Sequence, residues 1–382
     1  MRVGLSAGMI QGGKTGVAQY VLSLVRALLA RPDCPDLTLF VLENDAPLFD
    51  FVERRAILEL VSERFRPALR NIAWHQVALP RRARQLRLDV LHVPSYRRLL
   101  WPKPCALVAT IHDLAPFHVR AKYDPARMIY GRVVARALAH RQDEIIAVSH
   151  HTASDLRRFF ALRPDRLRVI YNGLDHLRFN PGDPDAARAE SRKRWKLDRS
   201  FFLYVSRLEH PGKNHVRLLE AFARFKAETG SDWLLALGGS DWHGAESIHA
   251  AATRSSARPD IRFLGYVPDA DLPILYRSAA AVVYPSLFEG FGFPPVEAMA
   301  CGCPVLSSDR GALAEVVGDA AGLVDPENVE QIQSGLTRMA TDLPWRDQLR
   351  TAGLGNAKRF NWNLTAEQVL RTYQKACRAP SI

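Results

Sequence analysis

The sequence predicts an α/β protein built from two doubly wound domains, and three observations carry that prediction. Short apolar runs alternate with helical periodicity in both halves, a polar segment rich in Pro, Asp and basic residues separates the halves, and 382 residues suffice for two separate cores. The runs are apolar throughout rather than alternating, which marks strands covered on both faces and hence parallel sheets.

In the first half the strand patterns are residues 3–7, 37–42, 90–93, 106–111, 144–148 and 168–171, and helical periodicity fills 16–30, 49–62, 124–140 and 152–160. The second half repeats the alternation with strands at 201–205, 233–238, 261–265, 280–284, 304–307 and 322–324. This gives a first domain over residues 1–180, a linker over 181–200 and a second domain over 201–360. A terminal segment, 361–382, carries one helix at about 365–377 that could dock on either domain. Sheets of this kind bind ligands beyond the C-terminal ends of their strands, so the loops found there are the ones to search.

Apolar residues make up 47% of the chain, yet no run reaches the roughly 18 consecutive apolar residues of a membrane span. The opening M-R-V-G-L-S-A-G-M-I-Q-G-G-K reads as a strand entering a glycine loop rather than a signal peptide, which points to the cytosol. Five cysteines without a CxxC pair indicate neither a disulfide framework nor a zinc site. The net charge of +12 lies wholly in residues 1–180, where 28 Lys+Arg face 16 Asp+Glu. It gathers at Arg54, Arg55, Arg64 and Arg66, then Arg81, Arg82, Arg84 and Arg87, then Arg97 and Arg98. Such clusters suit an anionic membrane surface or a phosphorylated substrate, or are ordinary solvated surface. Nucleic acid fits poorly, because no stacking aromatics interleave the arginines and no reader motif is present.

The most informative stretch is Tyr284 to Pro304, Y-P-S-L-F-E-G-F-G-F-P-P-V-E-A-M-A-C-G-C-P. It sets Glu289 on a turn and Glu297 on the helix that follows, both beyond the end of one strand. Gly290 and Gly292 let backbone N–H groups approach a ligand near a helix N-terminus. A carboxylate accepts hydrogen bonds from two vicinal hydroxyls, so one glutamate could hold a ribose and the other a hexose; two solvated glutamates on a surface turn are the bland alternative.

Gly8–Thr15, G-M-I-Q-G-G-K-T, matches the P-loop pattern and follows a strand. A nucleotidase also needs a later strand ending in a magnesium-binding Asp, and Asp113 alone is a candidate. A phosphate- or sugar-contacting glycine loop and a structural turn therefore stand beside the nucleotidase. At 204–214, Y-V-S-R-L-E-H-P-G-K-N places Arg207 and Lys213 on one loop, which suits a diphosphate, unless Glu209 neutralises one of them. His112-Asp113 ends another strand; the histidine can donate to a sugar hydroxyl or a developing charge, or be a satisfied structural residue. Asn172-Gly173-Leu174-Asp175 forms a turn after a further strand. His150-His151 looks like a metal pair only superficially, with no acidic ligand expected at a suitable spacing. With no D-x-D pair placed to hold a divalent ion on a diphosphate, the sequence predicts no metal and no cofactor.

Together these segments resemble the retaining glycosyltransferases of GT-B fold, family 4, and look closest to bacterial mannosyltransferases building lipid-linked or exported polysaccharide. The likeness covers nearly the whole chain and is most specific in Glu289-x7-Glu297, with S-R-L-E-H-P-G-K-N-H at 206–215 and V-S-H-H-T at 148–152. It implies two facing Rossmann-like domains with a ligand cleft between them, the first receiving the acceptor and the second the nucleotide-sugar donor. By that resemblance Arg207 and Lys213 bind the diphosphate, Glu297 the ribose and Glu289 the hexose. His112 contacts the sugar near the reacting centre, and Gly13 and Gly16 shape the loop over the phosphate. Gly290, Phe291 and Gly292 line the donor, and the terminal segment crosses back to the first domain. The implied reaction is metal-independent retaining transfer of a hexose, GDP-mannose being the expected donor and a UDP-hexose the alternative. The acceptor is a saccharide or lipid-linked saccharide, with peripheral contact to an anionic membrane through the basic half. The opening loop departs from the shorter G-x-G-R-Y form common in the family, so no role is carried to Lys14 or Gln19. A phosphorylase or epimerase of the same fold, and a non-enzymatic sugar- or membrane-binding module, remain as rivals.

Overall fold

The computed structural model describes residues 1–119 and 128–378, and the chain divides into two compact units. Residues 1–173 and the chain from Phe360 onward form the first, and Leu174–Arg359 the second.

The first unit holds a seven-stranded sheet in the order β3-β2-β1-β4-β5-β6-β7, with every neighbouring pair parallel. Its strands are β1 (Arg2–Ser6), β2 (Asp36–Leu42), β3 (Ile57–Val61), β4 (Val90–Val93), β5 (Ala106–Ile111), β6 (Glu144–Ala147) and β7 (Leu167–Val169). Its helices include α1 (Gly16–Leu29), α2 (Ala68–Gln85), α3 (Ala115–His118), α4 (Ala135–Ala139) and α5 (His150–Phe160). Strand order reverses between β1 and β4, so the loops after these two strands border the switch point of the sheet. The terminal helix, Trp362–Arg378, buries Ala366, Val369, Leu370 and Tyr373 in the same core as β1, β2 and α1. Its entry is close-fitting: a Cβ on Gly173 would lie 2.4 Å from the backbone nitrogen of Trp362.

Beneath that helix runs a chain of buried polar groups. The Tyr373 hydroxyl lies 2.7 Å from His92 Nδ1, His92 Nε2 lies 2.8 Å from Thr110 Oγ1, and Thr110 Oγ1 lies 2.9 Å from the Tyr20 hydroxyl. Burial holds the His92 imidazole neutral, with its pKa pushed down to about 3.

The second unit has a six-stranded parallel sheet in the order β10-β9-β8-β11-β12-β13. Its strands are β8 (Phe201–Val205), β9 (Leu234–Gly238), β10 (Ile261–Gly265), β11 (Ala281–Tyr284), β12 (Val305–Ser308) and β13 (Gly322–Val324). Its helices include α6 (Pro184–Trp195), α7 (His215–Thr229), α8 (Ala245–Arg254), α9 (Leu272–Ser278) and α10 (Phe293–Ala300). β8 and β11 are paired neighbours at its switch point, and one continuous core runs from Phe202 and Leu218 to Leu336 and Leu349.

Three segments depart from the sequence reading, and a fourth, 124–140, is helical as expected over its described residues 128–139. The stretch 49–62 is not a helix: a 3-10 segment, Glu43–Val52, contains Pro47 and gives way to edge strand β3, which pairs with β2. Helix α2 was missed because Pro80 interrupts its pattern and arginines crowd its last turn. Of the helix predicted at 124–140, residues 124–127 lie outside the described residues, and the rest comprises a π-helical turn, Tyr130–Val134, followed by α4. Residues 181–200 are not an extended linker: Asp183 caps α6 by accepting from the N–H groups of Asp185 and Ala186, and Ser191 bonds Ser278 of α9 at 2.7 Å. A helix with only Ala187 and Ser191 buried shows almost no apolar face, which is why composition read it as a linker.

Removing the Tyr373 hydroxyl leaves a buried imidazole nitrogen without its partner. Tyr373→Phe should therefore lower unfolding free energy by about 1–3 kcal/mol in chemical denaturation, and an unchanged midpoint would show that this network carries no stability.

Candidate functional site

In the second unit, the predicted donor residues lie on the loops that leave the paired strands β8 and β11, and backbone bonds stitch these loops together. Leu287 N–H donates to the Gly212 carbonyl at 3.0 Å and Ser286 Oγ donates to the same oxygen at 3.2 Å. Asn214, in the left-handed region at φ 61°, sends its side-chain amide to the carbonyls of Pro285 and Pro326. The Tyr204 hydroxyl donates to the Lys213 carbonyl at 2.6 Å. Gly239 is demanded by sterics, since a Cβ there would sit 1.9 Å from the Ser206 oxygen.

On this frame Lys213 forms an ion pair with Glu289, and both side chains are largely buried. The same oxygen, Glu289 Oε1, accepts from Ser286 Oγ at 2.8 Å and the Tyr284 hydroxyl at 3.1 Å. Arg207 reaches Glu209 Oε2 at 3.2 Å and lies over the Trp242 ring at 4.8 Å, with 42% of its side chain exposed. Each of the two predicted diphosphate cations thus has a carboxylate partner, and the neutralising role weighed for Glu209 is the one the geometry displays.

Glu297 stands apart. It lies in α10, whose N-cap is Gly292 (φ 90°), where a Cβ would meet Leu313 at 2.5 Å. Glu297 is buried, and its Oε2 accepts from the Tyr276 hydroxyl at 2.9 Å. Burial pushes its pKa up to about 7, against the opposing pull of Arg178 and the Tyr276 hydroxyl. Gly290 is buried, and Phe291, predicted to line the donor, has its side chain packed against Phe293 with 4% exposed.

In the first unit the loop after β1 forms a 3-10 turn, Gln11–Gly13, with Gly12 and Gly13 at φ 68° and 84°. Thr15 Oγ1 accepts from Ala18 N–H and so caps α1, of which Gly16 is the first residue. In this arrangement the threonine of the P-loop match serves as a helix cap. Behind this loop, Asn71 donates to the Gly8 carbonyl at 3.1 Å and accepts from Arg98 Nε, while His75 bonds Ser6 Oγ at 2.9 Å. Arg98 therefore braces the loop from within and is not part of an open basic surface.

His112 follows β5. The residue is half-buried, its ring T-shaped against Tyr20 at 4.9 Å, and its pKa is lowered to about 4 chiefly by desolvation. A hydrogen bond to the Pro94 carbonyl, beyond β4, occupies one ring nitrogen, while Nε2 is buried with no partner among the described residues. A carbonyl can only accept, so Nδ1 carries the proton and Nε2 presents a lone pair. In this tautomer Nε2 can accept from a hydroxyl rather than donate to one. Asn172, after β7, likewise keeps a buried Oδ1 without a partner among the described residues.

The reading of His150-His151 also needs correction. Asp155 is one helical turn beyond His151 on α5, and His118 of α3 meets it at 2.6 Å. Two D-x-D spacings do occur, at Asp183/Asp185 and Asp269/Asp271. Asp183 caps α6, while Asp185, Asp269 and Asp271 pair with Arg188, Arg178 and Arg194. The sequence reading missed Tyr276, Tyr284, Ser286 and Trp242; of these, Tyr284 and Ser286 sat inside the quoted motif.

The fold and these sites define a glycosyltransferase of GT-B architecture. Residues 186–355 match the family described as "Glycosyl transferases group 1", and residues 14–178 match "Glycosyltransferase Family 4". The chain is similar to "O-antigen chain mannosyltransferase B" of Escherichia coli, 30% identical over 94% of this chain and 96% of that one. Among solved structures, sucrose-phosphate synthase from Thermosynechococcus elongatus superposes with a TM-score of 0.80 at 20% identity, covering 98% of each chain. The Anabaena protein Alr3699/HepE, in complex with UDP-glucose, superposes with a TM-score of 0.79 at 20% identity, covering 98% of this chain and 100% of that one. The chain belongs to the group 1 glycosyltransferases of family 4. It is a nucleotide-sugar-dependent enzyme that transfers a hexose.

Raising the folded pKa of Glu297 from the ordinary 4.5 to about 7 means that the folded state holds the extra proton between those values. Stability contributed by this residue must then fall as pH rises from about 4.5 to about 7. Glu297→Gln should gain on the parent by roughly 2–3 kcal/mol between pH 5 and pH 8. A stability difference that does not change across that range in urea titrations would mean the carboxyl titrates normally.

Proposed function

We propose that the enzyme transfers its hexose with retention, from a nucleoside diphosphate sugar held by the second unit. The observation that carries this reading is the ion pair of Lys213 with Glu289, which at a sheet switch point joins the loop after β8 that also bears Arg207 to the segment after β11 that also bears the buried Glu297. Arg207 and Lys213 take the diphosphate, exchanging some attraction to their carboxylates for the phosphoryl oxygens. Glu289 holds hexose hydroxyls, Glu297 accepts from the ribose diol, and Gly290, Phe291 and Gly292 complete the second unit's contacts, while in the first unit Gly13 and Gly16 shape the loop after β1. The bond from the anomeric carbon to the diphosphate oxygen breaks as the acceptor oxygen bonds the same face of that carbon. The acceptor proton passes to the departing phosphate oxygen, whose added charge Arg207 and Lys213 stabilise without a metal in the step. In the first unit, His112 Nε2 is proposed to accept from a sugar hydroxyl. Neither the proton transfer nor charge neutralisation asks for a separate base.

Mannose as the transferred sugar draws support from the name of the full-length E. coli relative. For the base there are two readings: the sequence resemblance favours GDP, and the UDP-glucose held by the Anabaena protein favours UDP. Thermal shift with GDP-mannose, UDP-glucose, UDP-galactose, UDP-N-acetylglucosamine and the bare nucleotides decides between them, since only ligands of the folded state raise the midpoint. One base series should stand out and persist in excess EDTA. Arg207→Ala or Lys213→Ala should each cost on the order of 10²-fold in turnover, and Glu297→Ala should weaken nucleoside diphosphate binding more than Glu289→Ala does. Silence across the panel with a response to ATP would sink the transferase assignment of this site.

The acceptor is proposed to be a saccharide or lipid-linked saccharide, presented at an anionic membrane surface. Arg81, Arg82, Arg84 and Arg87 are exposed at the end of α2, although Arg82 also pairs with Glu59 at 2.9 Å. Arg81 and Arg82 line a groove with Leu60, Phe65, Trp74 and Val77, so basic and apolar contacts coincide; Leu60 is 60% exposed and Val77 50%. Among the described residues no helix is long and apolar enough to cross a membrane. Each basic group adds about 1 kcal/mol at an anionic surface. Vesicle sedimentation should need anionic lipid, weaken with salt and weaken in a triple change of Arg81, Arg82 and Arg84 to serine. Equal binding by the triple variant would return these arginines to ordinary solvated surface.

A further inference from the structure

The first unit contains a cluster that the transfer reaction does not use. His118 Nε2, His151 Nε2 and an oxygen of Asp155 lie within 4.8 Å of one another, and this is the only such trio of His, Cys, Asp or Glu among the described residues. We propose that it is a zinc site that pins the loop carrying His112 to helix α5.

The donor set fits the ion. Two imidazole nitrogens and one carboxylate oxygen make a common three-ligand zinc set, leaving a fourth position for water. Asp155 has 6% of its side chain exposed, whereas His118 and His151 keep 26% and 31%. The anionic ligand is thus buried under two imidazoles whose edges still reach solvent. His151 and Asp155 belong to one face of α5 by their i, i+4 spacing, and His118 arrives from α3. His151 Nε2 stands 3.6 Å from Asp155 Oδ2, too long for a hydrogen bond but close to the separation of two ligands on a tetrahedral ion, about 3.3 Å for bonds near 2 Å. His118 Nε2 stands 2.6 Å from the same oxygen, so a proton sits between them where the ion would lie. Zinc replaces that proton, and the two atoms separate by less than 1 Å to reach the same ligand spacing.

The location gives the site its purpose. His118 stands six positions beyond His112, and Thr152 of α5 already reaches the His112 carbonyl at 3.4 Å. Metal at the trio adds a second tie between the same two segments, and it holds the backbone that aims the buried lone pair of His112. Phe117 stacked on Phe159 at 4.5 Å lies alongside as an apolar wall. The ion takes no part in the transfer step, so this proposal and the donor assignment fail independently.

The test uses the whole chain, stripped with a chelator and returned to zinc-free buffer. Zinc titrated by calorimetry at pH 7.5 should bind at one equivalent per chain and raise the thermal midpoint, and EDTA should reverse the rise. The uptake should be lost as pH falls to 5, because both imidazoles must be deprotonated to ligate. Cobalt in place of zinc should give the intense visible absorption of a four-coordinate site. His151→Ala should abolish tight binding, and since Asp155→Ala risks misfolding at a buried position, His118→Gln serves as the second variant. Absence of stoichiometric uptake, or uptake that survives both His151→Ala and His118→Gln, overturns the assignment.

Discussion

The ion pair between Lys213 and Glu289 ties together the two loops on which the second unit's chemistry depends. It exists because β8 and β11 are parallel neighbours at the point where strand order reverses, so their outgoing loops start side by side. Placed mostly out of water, the pair gains little net stability, because desolvation offsets attraction. Its value is geometric. The Ser286 and Tyr284 hydroxyls fix the carboxylate, and the lysine is held with it, so a charge donor waits at a fixed place instead of sampling solvent. Under the proposed role of Lys213, a diphosphate meets an ammonium already largely desolvated, and its charge substitutes for part of what Glu289 supplies.

The first unit solves a related problem with neutral groups. A chain of hydrogen bonds runs from Tyr373 on the terminal helix through His92 and Thr110 to Tyr20, whose ring packs against His112. Each member has its partner, and buried networks of this kind favour a single arrangement over many. His112 is the exception at the end of the line: one ring nitrogen is tied to Pro94 and the other faces no protein partner among the described residues. A buried acceptor left open in an otherwise satisfied region is what a ligand hydroxyl would complete.

Much of this was legible in the sequence. The strands were readable because parallel sheets covered on both faces leave unbroken apolar runs, as in A-L-V-A-T-I and A-V-V-Y, and the switch-point loops follow from them. Edge strand β3 escaped because only one neighbour covers it: Ile57 is 57% exposed and Leu60 60%, so its run carries a glutamate and blurs into a helical period. Helix α6 escaped for the opposite reason, being so polar that its cap at Asp183 was the only local signal. At the sites, Arg207, Lys213, Glu289, Glu297 and His112 could be named from motif and strand position. Their environments could not, since the partners come from elsewhere: Tyr276 lies 21 residues from Glu297, Glu289 lies 76 from Lys213 and His118 lies 37 from Asp155. Asp155 itself was within reach, four residues beyond His151 on a predicted helix.

The two glutamates of the central motif show how environment divides labour between identical side chains. Glu289 is met by an ammonium and two hydroxyls, so its negative charge is compensated before any ligand arrives. Glu297 has one tyrosine hydroxyl and the more distant Arg178 against the cost of burial, and so shares its proton with solvent near neutral pH. Under the assignment proposed above, a diol brings two donors to that carboxyl and favours the ionised form, so binding and deprotonation are coupled there. Under the same assignment, hydroxyls arriving at Glu289 must share or displace bonds already made. Identical side chains thus ask different things of a ligand: relief of an under-compensated charge at Glu297, and exchange of existing bonds at Glu289.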